Sequence, residues 1–349
     1  MTSGNFSLSC SVEGEAMQII ALEEHIVTPE IIEAWRTLDP KWQDLSFKGV
    51  SKGEVGRRLM EVGADRLAAM DASGVDVQVL SLTTPGVQNL KVNDARRLQT
   101  QVNDLLAETV RACPERFQAF ATLATPDPKA AALELERAVT KLGMNGAMPF
   151  GRTREKNMDH PDFWPIYEAA EALGAPLYIH PQSPQPTVRA AYYDDFDTQV
   201  STLFAIGGIG WHYETGIQVI RLILSGVLDR YPNLQLILGH WGEVILFYLE
   251  RIDDIMRTSA KLPRALSDYV RDQVHVAPSG IFSQRYLRWA TEVVGIDRIL
   301  FSVDYPFLTV PDGGARRFLD EANLSDADRV KIASGNWRKL VAGIKRSAT

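Results

Sequence analysis

Ala21-Leu22-Glu23-Glu24-His25-Ile26 closes an apolar run that begins at Met17, and its abrupt change of character decides how the rest of the chain is read. Along a strand, residues two apart share a face, so Glu23 and His25 point one way and Glu24 the other. A carboxylate beside an imidazole at the end of a buried strand is half of a site for a divalent metal. The plain alternative is a strand running out into solvent, and the later segments decide against it.

Three of them answer the first. Pro176 to His180 reads Pro-Leu-Tyr-Ile-His, Leu234 to Gly239 ends in His240 with Glu243 one turn into the next helix, and Arg298 to Val303 ends in Asp304. Further strand-like runs lie at Val75 to Leu82, Phe117 to Thr125, Met144 to Met148 and Val274 to Ala277. Helical spacing fills the intervals, with Gly74 and Gly174 placed as C-caps and Ser325 as the N-cap of a last helix reaching Ile344. Eight largely apolar strands alternating with helices predict an α/β fold, a single (β/α)8 TIM-like barrel. An open doubly wound sheet would want a glycine-rich phosphate turn, and no G-x-G-x-x-G follows a strand. Residues 1–16 are expected to be a loose N-terminal extension and residues 17–349 the barrel. Pro181 to Gly210, longer than an ordinary loop after the fifth strand, reads as an inserted lid or substrate wall.

The bulk properties agree. A chain of 349 residues that is 45% hydrophobic can bury a large core, and a net charge of −7 disfavours nucleic acid and anionic membranes as partners. No apolar run approaches the roughly 18 residues of a membrane span. Cys10 and Cys113 are too few for a disulfide framework, which predicts a reduced, cytoplasmic protein with a small-molecule client.

In a barrel of this kind, strands end at the catalytic mouth, where Glu23, His25, His180, His240 and Asp304 all fall. Three of the six histidines are therefore on that face. His160 and His212 precede helices and read as caps or loop residues, and His275 lies within a strand. One Glu, two His and one Asp suit Zn²⁺, Mn²⁺ or Fe²⁺ alike. No lysine ends the fourth strand to bridge a second ion, so one divalent ion per chain is expected.

With Ala-Leu-Glu-Glu-His at 21 to 25, Tyr-Ile-His-Pro at 178 to 181, Leu-Gly-His-Trp-Gly-Glu at 238 to 243 and Phe-Ser-Val-Asp-Tyr-Pro-Phe at 301 to 307, the chain resembles the amidohydrolase superfamily. Within it, the Glu-x-His start and the Gly-His-x-Gly-Glu segment resemble the non-oxidative aromatic acid decarboxylases acting on γ-resorcylate, 2,3-dihydroxybenzoate and 5-carboxyvanillate. The resemblance implies that Glu23, His25, His180 and Asp304 hold one Zn²⁺ or Mn²⁺. It also implies that Asp304, His240 and Glu243 are catalytic and that Arg251 lies near the substrate. The expected reaction is decarboxylation of an o-hydroxybenzoate by ring protonation and CO₂ loss, in a homodimer or homotetramer. Two positions depart from the pattern: Ile281 and Leu308 stand where such enzymes often carry Asn, which puts the ring substituents in question. The alternative on the same scaffold is a metal-dependent ester or lactone hydrolase, in which the open coordination position serves water.

Overall fold

The computed structural model describes residues 17–256 and 259–346, so the expected extension at residues 1–16 lies outside the described residues. Among the described residues, six parallel strands form two sheets. One is ordered β1 (Ile20–Ile26), β2 (Val77–Leu82), β3 (Phe117–Ala119), and the other β4 (Leu177–Ile179), β5 (Leu236–Leu238), β6 (Val274–Val276). Isolated parallel bridges close both gaps. Ala147 pairs with Ala121 and Leu177, linking β3 to β4, while Ile299 pairs with Val276 and Ser302 with Leu22, linking β6 back to β1. The result is an α/β barrel of the TIM type. The segments expected to be full fourth and eighth strands are reduced to these bridges. At the fourth, Pro149 follows Met148 directly and has no N–H to continue the ladder.

Period-two alternation sorts the strand side chains into two cores. Ile20 and Leu22, Val77 and Val79, Tyr178, Ile237 and Leu300 fill the barrel interior, where Trp337 from the C-terminal helix joins them. Their neighbours Ala21, Leu177, Ile179, Leu236 and Leu238 face outward into a larger core beneath the surrounding helices. Both faces of the strands are thus dry, which is why the runs read as continuously apolar.

The caps follow the sequence. Gly74 and Gly174 end helices Ala64–Ser73 and Trp164–Leu173 in the left-handed region, at φ 82° and 63°. Ser325 accepts from the Asp328 N–H, although its helix Asp326–Val330 passes through a wider turn at Lys331–Gly335 before resuming at Asn336–Ala342. The stretch Pro181 to Gly210 is largely helical, with Pro186–Tyr192, Thr198–Leu203 and a wide turn at Phe204–Gly208. Cys113, buried where helix Val92–Ala112 ends, is not a free thiol, which corrects the expectation of reduced cysteines. Among the described residues, no helix is long and apolar enough to cross a membrane.

One buried cluster fixes the mouth of the barrel from behind. The Arg66 side chain is fully buried and donates to the His25 carbonyl (2.6 Å), Gln78 Oε1 (3.1 Å) and the Glu61 carbonyl (2.9 Å). Gln78 donates in turn to Glu24 Oε2 (2.9 Å), whose other oxygen accepts the Val303 N–H (2.9 Å). Glu24 and Arg66 therefore tie β1 to β2 and to the closing segment at once. Arg66→Ala leaves these acceptors buried without a partner, and each hydrogen bond to a charged group contributes about 1.5–3 kcal/mol. A loss of about 3 kcal/mol or more of stability is expected in urea unfolding. An unchanged urea midpoint would remove the cluster from this role.

Candidate metal centre and active site

β1 does not run regularly to its end. Ala21 pairs with Gln78 but Glu24 pairs with Leu80, so two residues of β1 stand against one of β2. Glu23 takes up this bulge at φ 64°. The kink turns its carboxylate into the barrel mouth, where regular alternation also brings His25, while Glu24 goes to Gln78 and Val303. Gly239 completes the space at the end of β5: a Cβ there would stand 2.9 Å from both Glu23 carboxylate oxygens and closer still to Ser279 Oγ.

Glu23, His25, His180 and Asp304 each offer one donor atom, and these four atoms lie within 4.8 Å of one another. His180 Nε2 is 3.3 Å from Glu23 Oε1, and His25 Nε2 is 3.3 Å from Asp304 Oδ1. The two imidazoles meet edge to face with centroids 4.8 Å apart. Their far nitrogens are committed elsewhere, His180 Nδ1 to the Pro181 carbonyl (2.9 Å) and His25 Nδ1 to Ser81 Oγ (3.1 Å). This leaves both Nε2 atoms for a ligand, as in metal-binding histidines oriented by a second partner. Glu23 Oε2 accepts from the Tyr178 hydroxyl (2.6 Å) and from Ser279. Glu23 Oε1 and His25 Nε2, both fully buried, have no hydrogen-bond partner. Buried polar atoms are almost always paired, so two orphans facing each other's neighbours across one small space fit a cation held there. The donor set of two nitrogens and two carboxylates suits a borderline divalent ion.

The charges agree. Burial alone would raise the Glu23 carboxyl, but His240, His180 and His25 outweigh it and hold it down to about 2. Burial and the Glu23 carboxylate push Asp304 well above the usual carboxyl range. An ion's own charge would work against that second shift, because a dication favours the ionised form.

Beside this set lies a second one. His240 Nδ1 donates to Glu243 Oε1 at 2.8 Å, and His212 Nδ1 meets Glu243 Oε2 at 2.7 Å. The two rings lie with centroids 4.7 Å apart, and His212 Nε2 also reaches the Gly207 carbonyl at 3.3 Å. Burial disfavours charge on His240, yet Glu243 and Glu23 outweigh it and raise its pKa to about 10. Glu243 is pulled below its ordinary value by the two imidazoles despite its burial. The turn that carries the pair is tightly wound, with His240, Trp241, Glu243 and Val244 all at positive φ, as are Ser279 and Asp304. Non-glycine residues in that region cost about 1–3 kcal/mol each and gather where a surrounding fold can hold them.

A cavity of about 390 Å³ opens over both sets, with His180, His212, His240, Ser279 and Asp304 on its floor. The structure thus brings together Glu23, His25, His180, Asp304, His240 and Glu243 as the sequence led us to expect. Arg251 is not among them: it is exposed on helix Ile245–Met256 and does not line the cavity. His160 caps a short turn and His275 is buried beside Arg298, both structural as read. His212 corrects the expectation of a cap or loop residue. It lies in the first turn of helix Gly210–Leu224, which aims the imidazole at Glu243.

The amidohydrolase family profile matches residues 29–342. Over 338 residues, 92% of this chain and 97% of the relative, the sequence is 35% identical to the γ-resorcylate decarboxylase of Polaromonas sp. strain JS666. The structure of 5-carboxyvanillate decarboxylase from Sphingomonas paucimobilis is 34% identical and superposes with a TM-score of 0.84 over 95% of this chain and all of the other. A dihydroxybenzoic acid decarboxylase from Polaromonas sp. JS666, solved with bound manganese and the inhibitor 2-nitroresorcinol, is 33% identical, with a TM-score of 0.80 over 93% of this chain and 97% of the other. Fold and matched length agree, and the chain belongs to the amidohydrolase family.

Proposed function

We propose that this protein is a metal-dependent carboxy-lyase that removes CO₂ from an o-hydroxybenzoate without oxidation. The observation that carries the reading is the set of four donor atoms from Glu23, His25, His180 and Asp304 within 4.8 Å of one another, with Asp304 and His180 on the floor of a largely apolar cavity. The decarboxylases among its relatives support it.

Glu23, His25, His180 and Asp304 would hold one Mn²⁺ or Zn²⁺. Such an ion supplies a template for a carboxylate oxygen and its ortho phenolic oxygen and stabilises their charge. Asp304 carries the proton to the ring carbon that bears the carboxyl group. A substrate's own anionic oxygens, together with Glu23 nearby, favour the protonated acid. Protonation interrupts aromaticity, and loss of CO₂ restores it. His240, with Nδ1 given to Glu243, keeps Nε2 for the ring substituents, and Glu243 fixes the plane of that imidazole. We assign no contact to Arg251 within one chain. A homodimer or homotetramer is supported by the exposed apolar side chains of Phe196, Leu203, Phe247 and Ile255.

Metal-replete protein should release CO₂ from at least one member of a hydroxybenzoate panel; release of a free acid from esters with no CO₂ would make it a hydrolase. Asp304→Asn keeps the size and one ligand oxygen but carries no proton to give, a function general acid catalysis values at about 10²- to 10⁴-fold. Turnover should fall by that factor while metal content persists. Turnover of the metal-loaded variant within about tenfold of the parent would move the acid elsewhere. His180→Ala should lower bound metal measured by elemental analysis, and full occupancy would remove His180 from the ligand set.

In chelator-treated protein, His240 has a folded-state pKa of about 10 against an ordinary 6.5. Its contribution to stability is therefore complete below pH 6.5 and is lost as pH rises through about 10. Urea midpoints of His240→Asn should lack this alkaline decline. The same decline in both proteins would assign the titration to another group.

A further inference from the structure

The floor of the cavity is polar and its wall is not. Val50, Leu203, Ile206, Ile281, Phe307 and Leu308 reach it from four separate stretches of chain, and no lysine or arginine lines it among the described residues. The few polar side chains in the wall have already spent their hydrogens. The Ser46 hydroxyl donates to Asp44 Oδ1 at 2.6 Å and the Thr84 hydroxyl to the Pro181 carbonyl at 3.2 Å, while the Ser279 hydroxyl goes to Glu23. The Trp211 Nε1–H has no partner, but it is itself shut away from open space and so out of reach of a bound ring. Beside the metal-type set, His240 keeps its Nε2 to meet a substrate oxygen, while both His212 nitrogens are given to Glu243 and the Gly207 carbonyl.

The two positions that break the sequence pattern stand in this wall. Leu308 packs over the backbone of Gly280, which at φ 70° and with no Cβ lets the leucine side chain come down onto it. Ile281 follows directly, held by its carbonyl to Trp241 Nε1 at 2.8 Å. A ring hydroxyl or second carboxylate directed there would lose its water and gain no donor, which is the costly way to bury a polar group. An alkyl group would exchange water for side chains at no such cost.

Building on the decarboxylase reading, we infer that the substrate is an o-hydroxybenzoate whose ring carries an apolar substituent, and that Ile281 and Leu308 select it. An added methyl group in a fitting apolar pocket is typically worth about 10- to 200-fold in kcat/KM.

The test compares, on the metal-replete full chain, salicylates differing at one ring position by hydrogen, methyl, ethyl, hydroxyl or carboxyl. CO₂ release is measured alongside binding followed by the absorbance of the ring. The expected result, at the position that best accepts methyl, is an advantage of about tenfold or more over both hydrogen and hydroxyl. Ile281→Asn and Leu308→Asn should each narrow or reverse the methyl-to-hydroxyl ratio with metal content unchanged. Leu308→Ala, which keeps the wall apolar, should retain the preference for alkyl and shift it toward the larger group. Hydroxylated or dicarboxylated substrates handled as well as the alkylated ones, or ratios unmoved by the Asn variants, overturn this inference and leave the decarboxylase reading standing. Absence of both CO₂ release and binding across the series overturns the two together.

Discussion

Four donor atoms from two carboxylates and two imidazoles cannot stand within 4.8 Å of one another in a dry barrel mouth unless something holds them there. Glu23 Oε1 and His25 Nε2 belong to that set and have no hydrogen-bond partner among the described protein groups. Much of the surrounding architecture answers that one demand. The bulge in β1 aims Glu23, Tyr178 and Ser279 hold its other oxygen, and Ser81 and the Pro181 carbonyl fix the ring planes. Behind them, Arg66 and Glu24 immobilise the backbone itself. A metal site is only as good as the groups that orient its donors, and Tyr178, Ser279, Ser81 and the Pro181 carbonyl are placed to do so here.

The candidate donors were legible in the sequence because barrel geometry makes strand ends conspicuous: a buried apolar run gains nothing by stopping in His or Asp unless that side chain has something to hold. The ring of strands was legible for a related reason, since burial on both faces leaves no polar alternation. What could not be read was set by local backbone detail. Glu23 and His25 share a site through a bulge with positive φ, a coincidence of outcome with simple alternation rather than its consequence. His212 was hidden because its helix starts four residues before the first residue that looks helical, and a wide turn at Phe204–Gly208 decides where that start falls. Arg251 shows the opposite limit. A motif can match while the helix that carries it presents the side chain to solvent.

The division between a polar floor and an apolar wall separates two tasks that sequence change can address independently. Floor residues sit on strand ends and wound turns held at positive φ by the whole barrel, so a change there disturbs folding and chemistry together. Wall residues such as Leu203, Ile281 and Leu308 come from loops and inserted helices, where substitutions alter shape and polarity without moving the donor set. One reaction can then be kept while the ring it accepts is varied.

The barrel closes where its two ends meet, Leu22 against Ser302, with the Val303 N–H locked to Glu24. Along the chain Glu23 and His25 come early, and Asp304, their neighbour across that seam, comes late. A growing chain carries two of the four candidate donors until His180 is made and three until Asp304 is made. A truncated product lacking the closing segment would leave Glu24, Arg66 and the first strand's edge open to the wrong partner.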